Sequence, residues 1–166
     1  TAFVVKRGTY VYADRSLFND NAKTDGKQIK MIFKSTMVRD PKAEIISCMS
    51  GGIGVSMTAE SATLASELNS VVTPYCTDRK IEMDFSIEAE SEDRFAWVYL
   101  KGVPSRGMGY DASDRWAQSS PALLKIGSEE ADVWIYRFKM YSYALTRREV
   151  LQNYIADCAD PAEMVA

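Results

Sequence analysis

The stretch from Gly127 to Tyr154 constrains the fold most. Asp132–Tyr141 packs Val133, Trp134, Ile135, Tyr136, Phe138, Met140 and Tyr141 into one strand-like run. Aromatic and β-branched residues of this kind fit a pleated, half-buried surface. A short turn follows, and then Thr146 with Glu149 three residues on forms a capping box, the signature of a helix N-terminus. Val150, Leu151 and Tyr154 recur at helical spacing behind it. The segment predicts a strand, a turn and one capped helix, and it carries no obvious chemistry.

The rest of the chain repeats the period of two. Ile81, Met83, Phe85 and Ile87 alternate with Glu82, Asp84, Ser86 and Glu88, which predicts a strand with one buried and one wet face. Ile29, Met31 and Phe33 alternate in the same way with Lys30, Ile32 and Lys34. Phe3–Val5, Thr9–Tyr12, Glu44–Met49, Ile53–Met57, Phe95–Leu100, Val103–Tyr110 and Leu123–Gly127 read as strands, with Ala62–Ala65 and Ser70–Thr73 weaker. Ser50-Gly51-Gly52 and Lys101-Gly102 read as hairpin turns, because glycine supplies the positive φ that a tight hairpin needs. Residues 111–121 form a polar loop, and 157–166 a tail or connector. About ten short antiparallel strands with a single helix predict an all-β, two-sheet antiparallel β-sandwich. A parallel α/β fold would need a helix between successive strands. At 166 residues, without repeats or linkers, the chain is expected to form one domain over 1–166.

Composition narrows the chemistry. The chain has no histidine, which removes Ser-His-Asp and Cys-His nucleophile systems and the commonest metal ligand. A net charge of −3 gives no electrostatic reason to expect nucleic acid or an anionic membrane as partner. No apolar run approaches the ~20 residues that span a bilayer. Cys48, Cys76 and Cys158 show no C-x-x-C spacing and read as buried thiols, with a Cys48–Cys76 disulfide as the alternative. A start at Thr1 rather than Met fits a processed product or a segment of a longer chain.

The closing segment is also specific. Leu124-Lys125-Ile126-Gly127, then Asp132–Tyr141, then Ala144-Leu145-Thr146 and Glu149, Gln152, Asn153 and Tyr154 resemble the C-terminal end of laminin-G-like domains. These belong to the concanavalin A-like lectin/glucanase superfamily. The hairpin Trp97-Val98-Tyr99-Leu100-Lys101-Gly102-Val103-Pro104 is similar to that family's Tyr-Leu-Asp-Gly turn, and the match covers roughly residues 27–160. Ser142-Tyr143 stands where the family has Asn-Arg, and Lys101 where it often has Asp. With Ile155-Ala156-Asp157 added, the pattern is most similar to laminin-G-like segments of phage minor structural and tail proteins. The resemblance implies a concanavalin A-like jelly roll and a non-catalytic module of a virion or extracellular surface. Its expected partners are a carbohydrate or host glycan and other virion or structural subunits.

Three chemistries can be weighed on the residues. Glycoside hydrolysis needs two carboxylates facing across a groove. Glu88 and Glu90 share a sheet face, but so do Glu82 and Asp84, and a solvated acidic face is the simpler account. Calcium needs six to eight oxygens; Asp111 and Asp114 could supply two, with Asp78 and Asp132 near strand ends, although loop capping explains them as well. Carbohydrate binding rests on Trp116, in a loop with Asp111, Asp114, Arg115 and Gln118 and with Tyr110 and Arg106 nearby. Aromatic faces stack on sugar rings while polar groups bind hydroxyls. Trp116 serves there as a platform or as a plug for the sandwich end. Trp97, Tyr99, Trp134 and Tyr136 are expected in the core. A protein-interaction or assembly domain is the remaining class, since sandwich edge strands can pair with neighbours.

Overall fold

The computed structural model describes residues 2–14, 27–36, 39–50, 53–66, 68–88, 94–110, 122–141 and 143–157. Two six-stranded antiparallel sheets face each other. The strands are β1 (Phe3–Val5), β2 (Val11–Asp14), β3 (Lys27–Ser35), β4 (Ile46–Ser50), β5 (Ile53–Met57), β6 (Ser61–Ala65), β7 (Ser70–Pro74), β8 (Ile81–Ile87), β9 (Arg94–Leu100), β10 (Val103–Tyr110), β11 (Ala122–Ile126) and β12 (Val133–Tyr141), followed by helix α1 (Arg147–Asp157). One sheet has the order β1-β12-β3-β8-β9-β10 and the other β2-β11-β4-β5-β6-β7. The first two strands therefore pair with the last two, one pair in each sheet. The predicted all-β sandwich with one C-terminal helix is the observed fold.

Alternation accounts for the core. Every second residue of β3 and β8, and Val133 and Ile135 of β12 ahead of its bulge, point between the sheets, placing Met31, Phe33, Met83 and Phe85 with them against Ile46, Val55, Met57, Leu64 and Ile126. Burying a side chain of this size stabilises by about 1.5–3 kcal/mol. The predicted hairpin at Ser50-Gly51-Gly52 shows in the β4–β5 register, where Ser50 lies opposite Ile53; the two glycines fall outside the described residues. β2 starts two residues later than the pattern predicts. Thr9 instead closes a turn, with its N–H and hydroxyl both donating to the Lys6 carbonyl. Gly127 joins β11 to β12 at a φ of 139°, and a Cβ there would sit 2.3 Å from the Thr9 carbonyl oxygen, so only glycine fits.

No bond joins Cys48 to Cys76. Cys48 is buried in β4, whereas Cys76 is exposed and its thiol donates to Asp78 Oδ1 at 3.0 Å. Cys158 lies outside the described residues. Among the described residues, no helix is long and apolar enough to cross a membrane.

The expected wet face of β8 is absent. Every residue from Ile81 to Ile87 is buried, including Glu82 and Asp84 at 0% and 1% exposure. Helix α1 and the turn before it cover the outer face of this sheet, so its polar stripe becomes a second interior. The capping box forms as predicted: Glu149 N–H donates to Thr146 Oγ1 at 3.2 Å and Thr146 N–H to Glu149 Oε1 at 3.0 Å. Of the predicted apolar stripe, Val150 is buried and Tyr154 half-buried, while Leu151 is exposed. Val150 packs with Leu145, Tyr99, Trp97 and Tyr141. Asp157, expected to open the tail, is the last helical residue.

Candidate functional site

β10 is an edge strand and carries the two sequence-predicted ligand residues that the structure describes. Arg106 follows a bulge after Pro104 and is exposed, with its guanidinium 3.3 Å from the Ser105 carbonyl oxygen. Tyr110 ends the strand inside the main core, and its hydroxyl donates to the Glu88 carbonyl at 2.5 Å. Burial raises the Tyr110 pKa against the opposing pull of Arg94. Asn69 donates to the Gly109 carbonyl at 3.0 Å, tying the β6–β7 turn to β10. Trp116, Asp111, Asp114 and Gln118 lie outside the described residues. Of the calcium candidates, Asp132 Oδ1 accepts the Arg7 N–H at 2.8 Å and Asp78 accepts the Cys76 thiol. Among the described residues, no three His, Cys, Asp or Glu side chains converge as a metal ligand set.

The outer face of the first sheet holds a buried polar ladder. Register places Lys30 opposite Asp84, Ile32 opposite Glu82 and Gln28 opposite Ser86. Gln28 Nε2 donates to Asp84 Oδ2 at 2.9 Å; its Oε1 accepts from the Ser86 hydroxyl and from Leu145 N–H at 3.1 Å. Gln28 therefore locks the turn before α1 onto the sheet. Lys30, fully buried, is paired with Asp157 and lies 3.6 Å from Glu82 Oε1. Arg137 Nε lies 4.0 Å from the other Asp157 oxygen. Burial pushes the Lys30 ammonium pKa down, but Asp157, Glu82 and Asp84 together more than reverse this and leave it raised.

Glu82 behaves in the opposite sense. Burial, then its hydrogen bond to Asp84 and that residue's charge, push its pKa up to about 9. Neither carboxyl oxygen of Glu82, nor Asp84 Oδ1, has a fixed hydrogen-bond donor. A proton held between the two carboxyls pairs one Glu82 oxygen with Asp84 and balances the cluster: Lys30 and Arg137 then face Asp84 and Asp157. Such a pair, closed under a helix, has no open groove in which to act on a glycosidic bond. Glu88, which with Glu90 formed the candidate pair for hydrolysis, sits half-buried just after β8, with its N–H donating to the Phe95 carbonyl at 2.9 Å. Glu90 lies outside the described residues.

Sequence reasoning also assigned the strand aromatics to the core. Tyr99 and Trp97 do pack inside, but under α1 rather than between the sheets, and the Arg147 guanidinium stacks on Trp97 at 4.6 Å. Trp134 and Tyr136 are half-buried on the outer face, with the Lys34 and Lys80 ammoniums 5.9 Å and 4.3 Å from their ring centres.

A pocket of about 590 Å³ opens where the β7–β8 connection, the β9–β10 turn and α1 meet. Asp78, Arg79 and Lys80 from the first connection, Lys101 from the turn and Tyr154 from the helix are among the residues that line it. Lys101 and Gly102 take φ values of 51° and 80°, a two-residue turn of the kind that matches strand twist. A Cβ on Gly102 would lie 2.8 Å from Tyr154 Cβ, so glycine lets the helix dock there. Lys101 N–H donates to the Glu82 carbonyl at 3.2 Å, which fixes the turn to β8. Nothing in the residue pattern marks this pocket, because Lys101 and Tyr154 reach it from elements remote in sequence from Arg79.

No protein-family model and no curated protein sequence matches the chain. Solved structures do. The receptor binding domain of botulinum neurotoxin D superposes with a TM-score of 0.67 at 11% identity, covering 94% of this chain and 44% of that one. The botulinum neurotoxin type G receptor binding domain gives 0.60 at 16% identity, over 94% and 46%. The chain shares their β-sandwich fold. It spans less than half the length of either domain, and at these identities the likeness concerns architecture.

Proposed function

We propose that this chain is a non-catalytic, laminin-G-like module of a virion or cell-surface assembly that attaches through carbohydrate. One observation carries the non-catalytic part: the strand-borne acid pair Glu82–Asp84 is sealed beneath α1 instead of facing a groove. The sandwich shared with toxin receptor binding domains supports an attachment role. The laminin-G-like sequence pattern, most similar to phage tail proteins, supports a virion setting. Trp116, with Asp111, Asp114 and Gln118 in the loop and Arg106 and Tyr110 on β10, forms the proposed sugar-binding edge. Titration calorimetry or a glycan array with host cell-wall saccharides tests it. Binding that is lost in Trp116→Ala is the expected result; no binding, or binding indifferent to that change, sinks the sugar-binding reading.

A second reading, an assembly domain without sugar binding, is favoured by the edge strand β1. Phe3 and Val4 are exposed there, at 50% and 38%. An exposed apolar edge is a template for pairing with another chain. Sedimentation that shows a monomer at high concentration argues against it.

A further inference from the structure

The geometry points to the pocket between the β7–β8 connection, the β9–β10 turn and α1 as a binding site for a carboxylated sugar. The inference rests on the carbohydrate-attachment reading but places recognition at a different end of the molecule.

The pocket volume of about 590 Å³ lies within the ~300–1,000 Å³ range of small-ligand sites. Its chemistry is mixed in a specific way. Arg79 and Lys101 bring two cations from separate connections to the pocket lining, while the Lys80 ammonium is held over the Tyr136 ring. They suit an anionic group, and a guanidinium binds a carboxylate with two parallel hydrogen bonds. Asp78 sits among them as an acceptor, its carboxylate exposed. An acceptor there suits a hydroxyl-rich ligand and repels a dianion such as phosphate. Tyr154 supplies an aromatic wall against which the apolar face of a pyranose can lie. One carboxylate, several hydroxyls and a flat apolar face together describe an acidic monosaccharide unit.

The test is calorimetry of the whole chain with a glucuronate-terminated disaccharide, its carboxyl-reduced counterpart and inorganic phosphate. The double variant Arg79→Gln/Lys101→Asn removes two cations without disturbing the turn, because asparagine tolerates the positive φ at 101. The acidic disaccharide is expected to bind wild type, and both carboxyl reduction and the double variant are expected to weaken it by about tenfold or more. Location is read independently. Cys76 is exposed and lines the pocket, so its alkylation, followed on its own peptide, is expected to slow when the acidic disaccharide is present. No binding, equal binding of the reduced sugar, tighter binding of phosphate, or a Cys76 rate unchanged at saturation each overturns the assignment. Trp116→Ala separates this failure from that of the carbohydrate reading. Sugar binding that needs Trp116 but not Arg79 and Lys101 overturns the pocket and upholds the loop.

Discussion

Glu82→Gln should abolish a pH dependence of stability that wild type shows between neutral and alkaline pH. In the unfolded chain this carboxyl ionises near the ordinary value of 4.5, whereas the folded protein holds its proton up to about 9. Between those values the native state binds more protons than the unfolded state, so stability falls as pH rises. The contribution is fully present below pH 4.5 and is lost as pH passes through about 9. At about 1.36 kcal/mol per unit, and with the group half ionised at pH 9, the change from pH 7 to pH 9 removes about 2.3 kcal/mol. For a domain of this size about 1 kcal/mol moves Tm by 2–4 °C, so wild type should melt about 5–9 °C lower at pH 9 than at pH 7. Glutamine keeps the shape and can donate to Asp84 without titrating. The Glu82→Gln protein should match wild type near pH 7 and lose far less by pH 9. Thermal melts followed by circular dichroism at both pH values suffice. Other groups titrate in this range, so the difference between the two proteins is the measure. Parallel curves would mean that Glu82 is already ionised in the native state, and the proton assigned to the Glu82–Asp84 pair would be wrong.

Lys30→Ala should destabilise by about 3–5 kcal/mol in urea denaturation, because it strands Asp84 and Asp157 without their buried cation. Gly102→Ala should cost about 1–3 kcal/mol, since it places a methyl against Tyr154 and forces alanine to a positive φ. Its hydrogen exchange should rise selectively in α1. Thr146→Ala removes the helix cap and should cost about 1 kcal/mol by thermal melt, with β-sheet signals unchanged.

The main core was legible because alternation is a local property. Ile81, Met83, Phe85 and Ile87 point inward whatever covers the other side of β8, and Ile53–Met57 and Val103–Tyr110 match the observed strands residue for residue. What lies over the opposite face is not local. Glu82 and Asp84 look like a wet stripe on their own strand. Only the register with β3 sets Lys30 against Asp84, and only the fold brings Asp157, 127 residues from Lys30 in sequence, onto that ladder. The capping box was readable, but the face on which the capped helix docks was not. Gly102 carried a partial signal: a glycine in a Lys-Gly turn predicts the hairpin, and the same missing Cβ admits Tyr154.

The docking of α1 decides where this sandwich can meet a ligand. Val150 of the helix and Leu145 before it cover Tyr99 on the outer face of the first sheet, and Gln28 ties Leu145 to the strands, so no saccharide can lie across that part of the face. Recognition is left to the ends. The β9–β10 hairpin joins the two candidate regions: Lys101 at its turn borders the pocket, while Tyr110 at the far end of β10 leads into residues 111–121. An eight-residue strand rising about 3.3 Å per residue puts the two ends roughly 20–25 Å apart. Substitutions that far apart with no shared partner act additively. Combining Trp116→Ala with Arg79→Gln/Lys101→Asn therefore tests whether the loop and the pocket act separately or one saccharide uses both. A loss in the triple variant that equals the sum of the separate losses places two independent contacts on the module; a loss equal to the larger one alone leaves a single working site.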